Sequence, residues 1–134
     1  MTTVAPLRFR RLWLALGWAL VIAIVALSLG PMPPVDLSED RDKLGHLIAY
    51  GTLMFWWSLL LPSLRARLAA ALVFVLMGAA LEVLQAMTDS RSGEVADALA
   101  NAGGVALGLA LGFTPLRGAL YWACLLYTSP SPRD

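Results

Sequence analysis

The sequence predicts an all-α, polytopic membrane protein, a bundle of four transmembrane helices with both termini on the cytoplasmic side. Three observations carry that expectation. Four long apolar stretches are separated only by short polar loops. Hydrophobic residues make up 59% of the 134 and charged residues only 14%, against roughly a quarter charged in a soluble domain, so water is not the main solvent. The basic residues, finally, are shared unequally between the two sides that alternating spans define.

A helix that crosses a bilayer needs about 20 mostly apolar residues. The first such stretch, Leu12–Leu29, contains no charged residue and follows Arg8, Arg10 and Arg11. It is longer than the apolar core of about 7–15 residues found in a secretory signal, and no small-residue cleavage site follows, so it is expected to remain as a span. Gly30-Pro31-Met32-Pro33-Pro34 ends it, because prolines lack a donor and restrict the residues before them. The acidic-rich stretch Asp36 to Lys43 leads into the second span, Leu44–Leu61, which Pro62 stops. Ser63 to Arg67 is a tight connection to the third span, Leu68–Met87, and Thr88 to Glu94 joins that to the fourth, Val95–Phe113. No room is left for a second domain, so residues 1–123 read as a single four-helix domain. The last residues, Cys124 to Asp134, read CLLYTSPSPRD, which looks like the translation of a sequencing-library transposase adapter and is expected to be an artefact. The lone Cys124 permits no intramolecular disulfide and no cysteine metal cluster.

Orientation follows from Lys and Arg, which stay preferentially in cytoplasmic loops. Arg8, Arg10, Arg11, Arg65, Arg67 and Arg117 fall on one side of the predicted membrane. Arg41, Lys43 and Arg91 fall on the other, among Asp36, Glu39, Asp40, Asp42, Asp89 and Glu94. The first side is therefore cytoplasmic. A net charge of +1, with no clustered basic face, gives no reason to expect a nucleic-acid partner.

Polar and ionisable residues inside spans are costly and mark candidate sites. The second span brings Asp42, Lys43, His46 and Tyr50 in from the outer side; the third arrives there with Glu82 and Gln85; the fourth leaves with Asp97 and Asn101. At about 1.5 Å rise per residue all of them lie near one membrane face. Spacings of three and four residues put each set on a single helical stripe. Gly104, Gly108 and Gly112 continue the Asp97–Asn101 stripe, and Gly78 sits one turn from Glu82; small residues at this spacing let helices approach closely in a membrane. These four glycines are thus the expected packing positions. A polar pocket opening outward between spans two, three and four is expected.

Several chemistries fit these residues. Tyr50, Gln85 and Asn101 can serve simply as interhelical hydrogen-bonding groups, and Asp42 and Lys43 sit where solvation or helix capping is equally natural. Glu82 and Asp97, carboxylates at this depth, each need a proton, a cation or a partner such as Lys43 or Arg91. His46 can act as an acid or base, or join Glu82 and Asp97 around a metal. With no paired-histidine motif such as H-E-x-x-H, no metal and no cofactor is assigned. Nucleophile-elbow, phosphate-loop and paired-cysteine motifs do not occur.

The ordered set Asp42-Lys43-Leu44-Gly45-His46 with Tyr50, Glu82-x-x-Gln85, Ser90-Arg91-Ser92 and Asp97-x-x-x-Asn101-x-x-Gly104 resembles the VanZ-like family of bacterial envelope proteins. Its pattern runs DK-x-x-H, E-x-x-Q, a small-residue and Arg turn, then D-x-x-x-N-x-x-G; Ser90 stands where glycine is common. The resemblance covers residues 40 to 113. It implies a multi-pass protein of the bacterial cytoplasmic membrane, in an envelope setting linked to resistance to the glycopeptide teicoplanin. Two functions are carried forward. In the preferred one, the pocket binds a lipid-linked cell-wall precursor, a lipid headgroup or an envelope protein, with Asp42, Lys43, His46, Tyr50, Glu82, Gln85, Arg91, Asp97 and Asn101 as binding residues. In the other, a membrane enzyme uses His46 with Glu82 or Asp97 for acid–base hydrolysis or transfer on a lipid-linked substrate.

Overall fold

The computed structural model describes residues 8–31, 39–88 and 95–128. Among them there is no strand. The chain forms α1 (Arg10–Leu29), α2 (Glu39–Leu60), α3 (Leu64–Ala86), α4 (Val95–Leu111), a 3-10 turn (Pro115–Gly118) and α5 (Ala119–Thr128). The helix ends differ from the edges of the apolar runs for local reasons. α2 begins at Glu39, about one turn before Leu44, since acidic residues favour a helix N-terminus and the charged turn continues the helix into water. α3 begins at Leu64 because the Ser63 hydroxyl accepts from the Ala66 amide at 3.1 Å, a side-chain cap that starts a helix ahead of its apolar part.

The expectation of four spans holds only in a coarser form. α1 and α3 are long and apolar enough to cross a membrane by themselves. α4 has 17 residues, about 26 Å at 1.5 Å each and short of the bilayer core of about 30 Å; together with Pro115–Leu126 it qualifies as one span bent by 75°. α2 is long enough at 22 residues, but Lys43, His46, Tyr50, Thr52 and Ser58 lower its hydropathy. The fifth helix was not expected from the sequence. Thr114 makes the bend: its hydroxyl donates to the Leu111 carbonyl at 2.6 Å and accepts from the Leu116 amide at 3.3 Å, and Pro115 opens the next turn.

The main interface joins α2 and α4, which run parallel. Along it Gly104 meets Leu47 and Gly51, Gly108 meets Gly51, Met54 and Phe55, and Gly112 meets Ser58. A Cβ on Gly108 would press on the Gly51 carbonyl oxygen and come within 2.8 Å of the Phe55 nitrogen; one on Gly112 would lie 2.6 Å from the Ser58 Cβ. Backbone contact this close is open only to glycine. The fully buried Ser58 donates to the Met54 carbonyl at 2.8 Å, so the polar atom at this tight crossing is satisfied.

α3 packs antiparallel to that pair, with Gly78 against Tyr50 and Asn101. α1, also antiparallel to α2, lays Gly17 on the rings of Trp56 and Trp57. Trp56 Nε1 donates to the Trp13 carbonyl at 3.0 Å, and Trp13–Trp56 and Trp18–Trp57 meet edge to face at 5.8 and 5.3 Å between ring centres. The core gathers Leu53, Met54, Trp57, Phe74, Val105 and Leu120. Large apolar side chains such as Trp18, Ile22, Ile48, Leu72, Leu76 and Leu107 stay exposed along the helices, a surface suited to lipid rather than water. At the end of the bundle where α2 and α4 finish, Arg67 donates from Nε to the Leu61 carbonyl at 3.0 Å and from Nη1 to the Gly112 carbonyl at 3.3 Å. Its guanidinium also lies 5.8 Å from the centre of the Phe113 ring.

Candidate functional site

At the opposite end, the helical stripes of α2, α3 and α4 converge on His46. Its Nδ1 is 2.9 Å from Asn101 Oδ1 and 3.8 Å from Glu82 Oε1; its Nε2 is 3.9 Å from Asp42 Oδ1 and 4.0 Å from Asp97 Oδ2. Asn101 is 1% exposed, Asp97 5% and Glu82 6%, whereas the Asp42 side chain is half exposed at 48% and that of His46 stands at 19%. The glycines explain why these residues can meet. Gly104 and Gly108 bring α4 onto α2, which aligns Asp97 and Asn101 with Asp42 and His46. Gly78 leaves room for the Asn101 amide, whose Nδ2 lies 3.1 Å from where a Cβ would stand.

Only the 2.9 Å contact is a hydrogen bond; the three carboxylates stand back by more than hydrogen-bonding distance. With an acceptor oxygen opposite it, Nδ1 carries the hydrogen, and Nε2 is the ring atom turned toward Asp42 and Asp97. The donor atoms of Asp42, His46 and Asp97 all lie within 4.8 Å of one another. Such an imidazole among carboxylates can exchange a proton, bind a cation or orient a polar ligand.

A cavity of about 180 Å³ adjoins this cluster, bordered by Asp42, His46, Tyr50 and Gln85 together with Arg41, Gly45, Ala49 and, from α1, Ile24, Leu27 and Ser28. Its walls differ from those expected of a pocket between spans two, three and four. α1 supplies one side, while Asp97 and Asn101 of α4 lie behind His46 and do not line it. Gln85 turns toward α1, donating to the Ser28 backbone carbonyl at 2.7 Å. Lys43 does not line the cavity; the basic residue that does is Arg41. Arg91, the other expected cation, lies outside the described residues, as does the Ser90–Arg91–Ser92 turn.

Sequence reasoning passed over Arg41 and Ser28. Arg41 sits one position before the Asp42–His46–Tyr50 stripe in a run of charges, where nothing distinguishes it from a solvated residue. Ser28 takes part through its main chain, which its side chain does not advertise.

The sequence model of a family described as VanZ/LLP1 matches residues 5–116, a range that takes in α1 to α4 and every site residue above. No curated protein and no solved structure matches the chain.

Proposed function

Since the chain belongs to the VanZ-like family, whose members are membrane proteins, we propose that it holds the polar head of a lipid-linked cell-wall precursor or of a membrane lipid in the cavity beside His46. The observation that carries this reading is the cavity's mixed lining. Arg41, Tyr50 and Gln85 supply donors for phosphate or sugar oxygens, His46 offers its Nε2 lone pair to a hydroxyl, and Ile24, Leu27 and Ala49 continue the wall as apolar surface. At about 180 Å³ it is smaller than the roughly 300–1,000 Å³ of pockets that enclose whole ligands, which suits a headgroup whose chains remain in the bilayer.

In this reading α1 to α4 all cross the bacterial cytoplasmic membrane, both termini are cytoplasmic and the cavity faces outward, since Arg8, Arg10, Arg11, Arg65, Arg67 and Arg117 then lie inside. Residues 1–123 are the working domain and 124–134 the adapter-derived tail. Holding a precursor or an envelope protein partner at this face would alter access of glycopeptides such as teicoplanin to their target.

The test is retention of lipid by the full chain in detergent. After incubation with a lipid-linked disaccharide–peptide precursor or with phosphatidylglycerol, the bound lipid is extracted and weighed by mass spectrometry. Stoichiometric retention that falls roughly 10-fold or more in Arg41→Ala, the loss expected for a charge-assisted hydrogen bond, supports the reading; no retention of either lipid overturns it. The enzymatic alternative draws on the placing of His46 among three carboxylates. Turnover of the same precursor, abolished by His46→Ala or Glu82→Gln, would favour it over simple binding.

A further inference from the structure

We propose that Asp42, His46 and Asp97 form a binding site for a divalent first-row transition-metal ion. The three donors come from two parallel helices. Asp42 and His46 are one turn apart on α2, and Asp97 lies in the first turn of α4, held in register by the glycine contacts below it. His46 Nε2 stands 3.9 Å from one carboxylate oxygen and 4.0 Å from the other. That is too long for a hydrogen bond and just under the sum of two metal–ligand bonds of about 2.1 Å each. Closing to the roughly 3.4 Å edge of a tetrahedral site takes about half an ångström of side-chain movement, and Asp42, half exposed, is able to provide it.

A second observation, independent of the donor cluster, concerns the far side of the ring. Nδ1 donates to the buried Asn101 amide oxygen at 2.9 Å, which fixes the ring plane and leaves the lone pair on Nε2, aimed between the two carboxylates. Metal-bound histidines are held in this way, with the nitrogen away from the metal hydrogen-bonded to a protein oxygen. Glu82 faces the same Nδ1 edge at 3.8 Å and belongs to that outer layer rather than to the ligands.

The charges point the same way. Two carboxylates and an imidazole form a donor set that complements a dication. One imidazole and two carboxylates suit zinc or manganese and do not suit a soft ion such as copper(I). Burial increases from Asp42 through His46 to Asp97, so the site is closed at its base and open toward the cavity, where an ion held by three protein groups keeps positions for an outside ligand. The ion site stands whether or not a lipid occupies that cavity.

The full chain, purified in detergent and stripped with a chelator, is titrated with Co²⁺ and then challenged with Zn²⁺. The expected result is one equivalent of Co²⁺ with visible ligand-field bands, displaced by Zn²⁺. Asp42→Asn and His46→Gln should each weaken binding roughly 10-fold or more. Asp40→Asn, which removes an exposed carboxylate two positions from Asp42, should leave it unchanged. Because Asp42 is half exposed, Asp42→Asn should keep the metal-free melting temperature of the unaltered protein, so its weaker binding cannot be put down to misfolding. Absence of saturable binding of either ion below about 100 µM overturns the site. So does affinity that is the same in Asp42→Asn and His46→Gln as in the unaltered protein, or that falls equally in Asp40→Asn.

Discussion

His46 on α2 and Asn101 on α4, 55 residues apart in the chain, are joined by a 2.9 Å hydrogen bond between Nδ1 and Oδ1. The bond exists because α2 and α4 run parallel and touch through glycine, which sets the two side chains at one height. It orients the imidazole on which Asp42, Glu82 and Asp97 converge, and it ties the packing of the bundle to the chemistry of its polar end.

Asn101→Leu keeps the size of the side chain and removes the acceptor. The cost in stability should be modest, about 1 kcal/mol, because hydrogen bonds between membrane helices are individually weak. The larger effect should be on the ring. In the unaltered protein the ¹⁵N spectrum of His46 should show the hydrogen on Nδ1, and in Asn101→Leu that preference should be lost. An unaltered protein with its hydrogen on Nε2 alone would contradict the orientation described here.

The glycines separate into two groups that alanine scanning can distinguish. Gly108→Ala drives a methyl group into the Gly51 carbonyl and to within 2.8 Å of the Phe55 nitrogen, and should destabilise by about 1–3 kcal/mol. Gly103→Ala, on the same helix, meets only the Leu47 Cδ1 at 3.5 Å, and Gly45→Ala meets nothing within 4 Å. Both should be neutral or stabilising by up to about 1 kcal/mol, since alanine is the better helix former. Thermal unfolding in detergent reads all three, and equal losses would refute the close α2–α4 approach.

Arg67 holds the ends of α2 and α4 together through the carbonyls of Leu61 and Gly112. Arg67→Ala should cost about 1–2 kcal/mol, from a charged donor lost at two helix C-termini. Arg67→Lys should restore only part of this, because a single ammonium does not reproduce the guanidinium fork. Melting temperatures of the two variants, ranked in that order below the unaltered protein, are the expected result.

Orientation in the membrane can be read by cysteine labelling after Cys124→Ser removes the single thiol of the chain. Thr88→Cys, at the His46 end of α3, should react with a membrane-impermeant maleimide in intact cells. Arg65→Cys, at the other end, should react only after permeabilisation. The reverse pattern would place the cavity on the cytoplasmic side.

Much of the fold can be read along the sequence because its causes are local. The apolar runs locate α1 to α4, and the three- and four-residue spacing of Asp97, Asn101, Gly104 and Gly108 identifies the buried side of α4. Helix ends are less legible. Glu39 and Asp40 extend α2 through a charged turn that hydropathy discounts, and Ser63 starts α3 ahead of its apolar part. The turn at Thr114 and the helix after it rest on a hydroxyl bonding in both directions along the backbone, for which a single threonine is faint notice.

The amino-acid order by itself determined a helical, lipid-compatible chain with polar stripes gathered toward one end, because hydropathy and helical period are properties of neighbouring residues. Which stripes face each other was decided by packing: α4 lies parallel to α2 at a register set by Gly51, Gly104 and Gly108, and α1 closes the cavity that α3 reaches through Gln85. The physical reason is the nature of the contacts. Trp56, Arg67 and Gln85 bind the main-chain carbonyls of Trp13, Leu61 and Gly112, and Ser28. Every residue carries such a carbonyl, so only the folded arrangement selects the ones that are used.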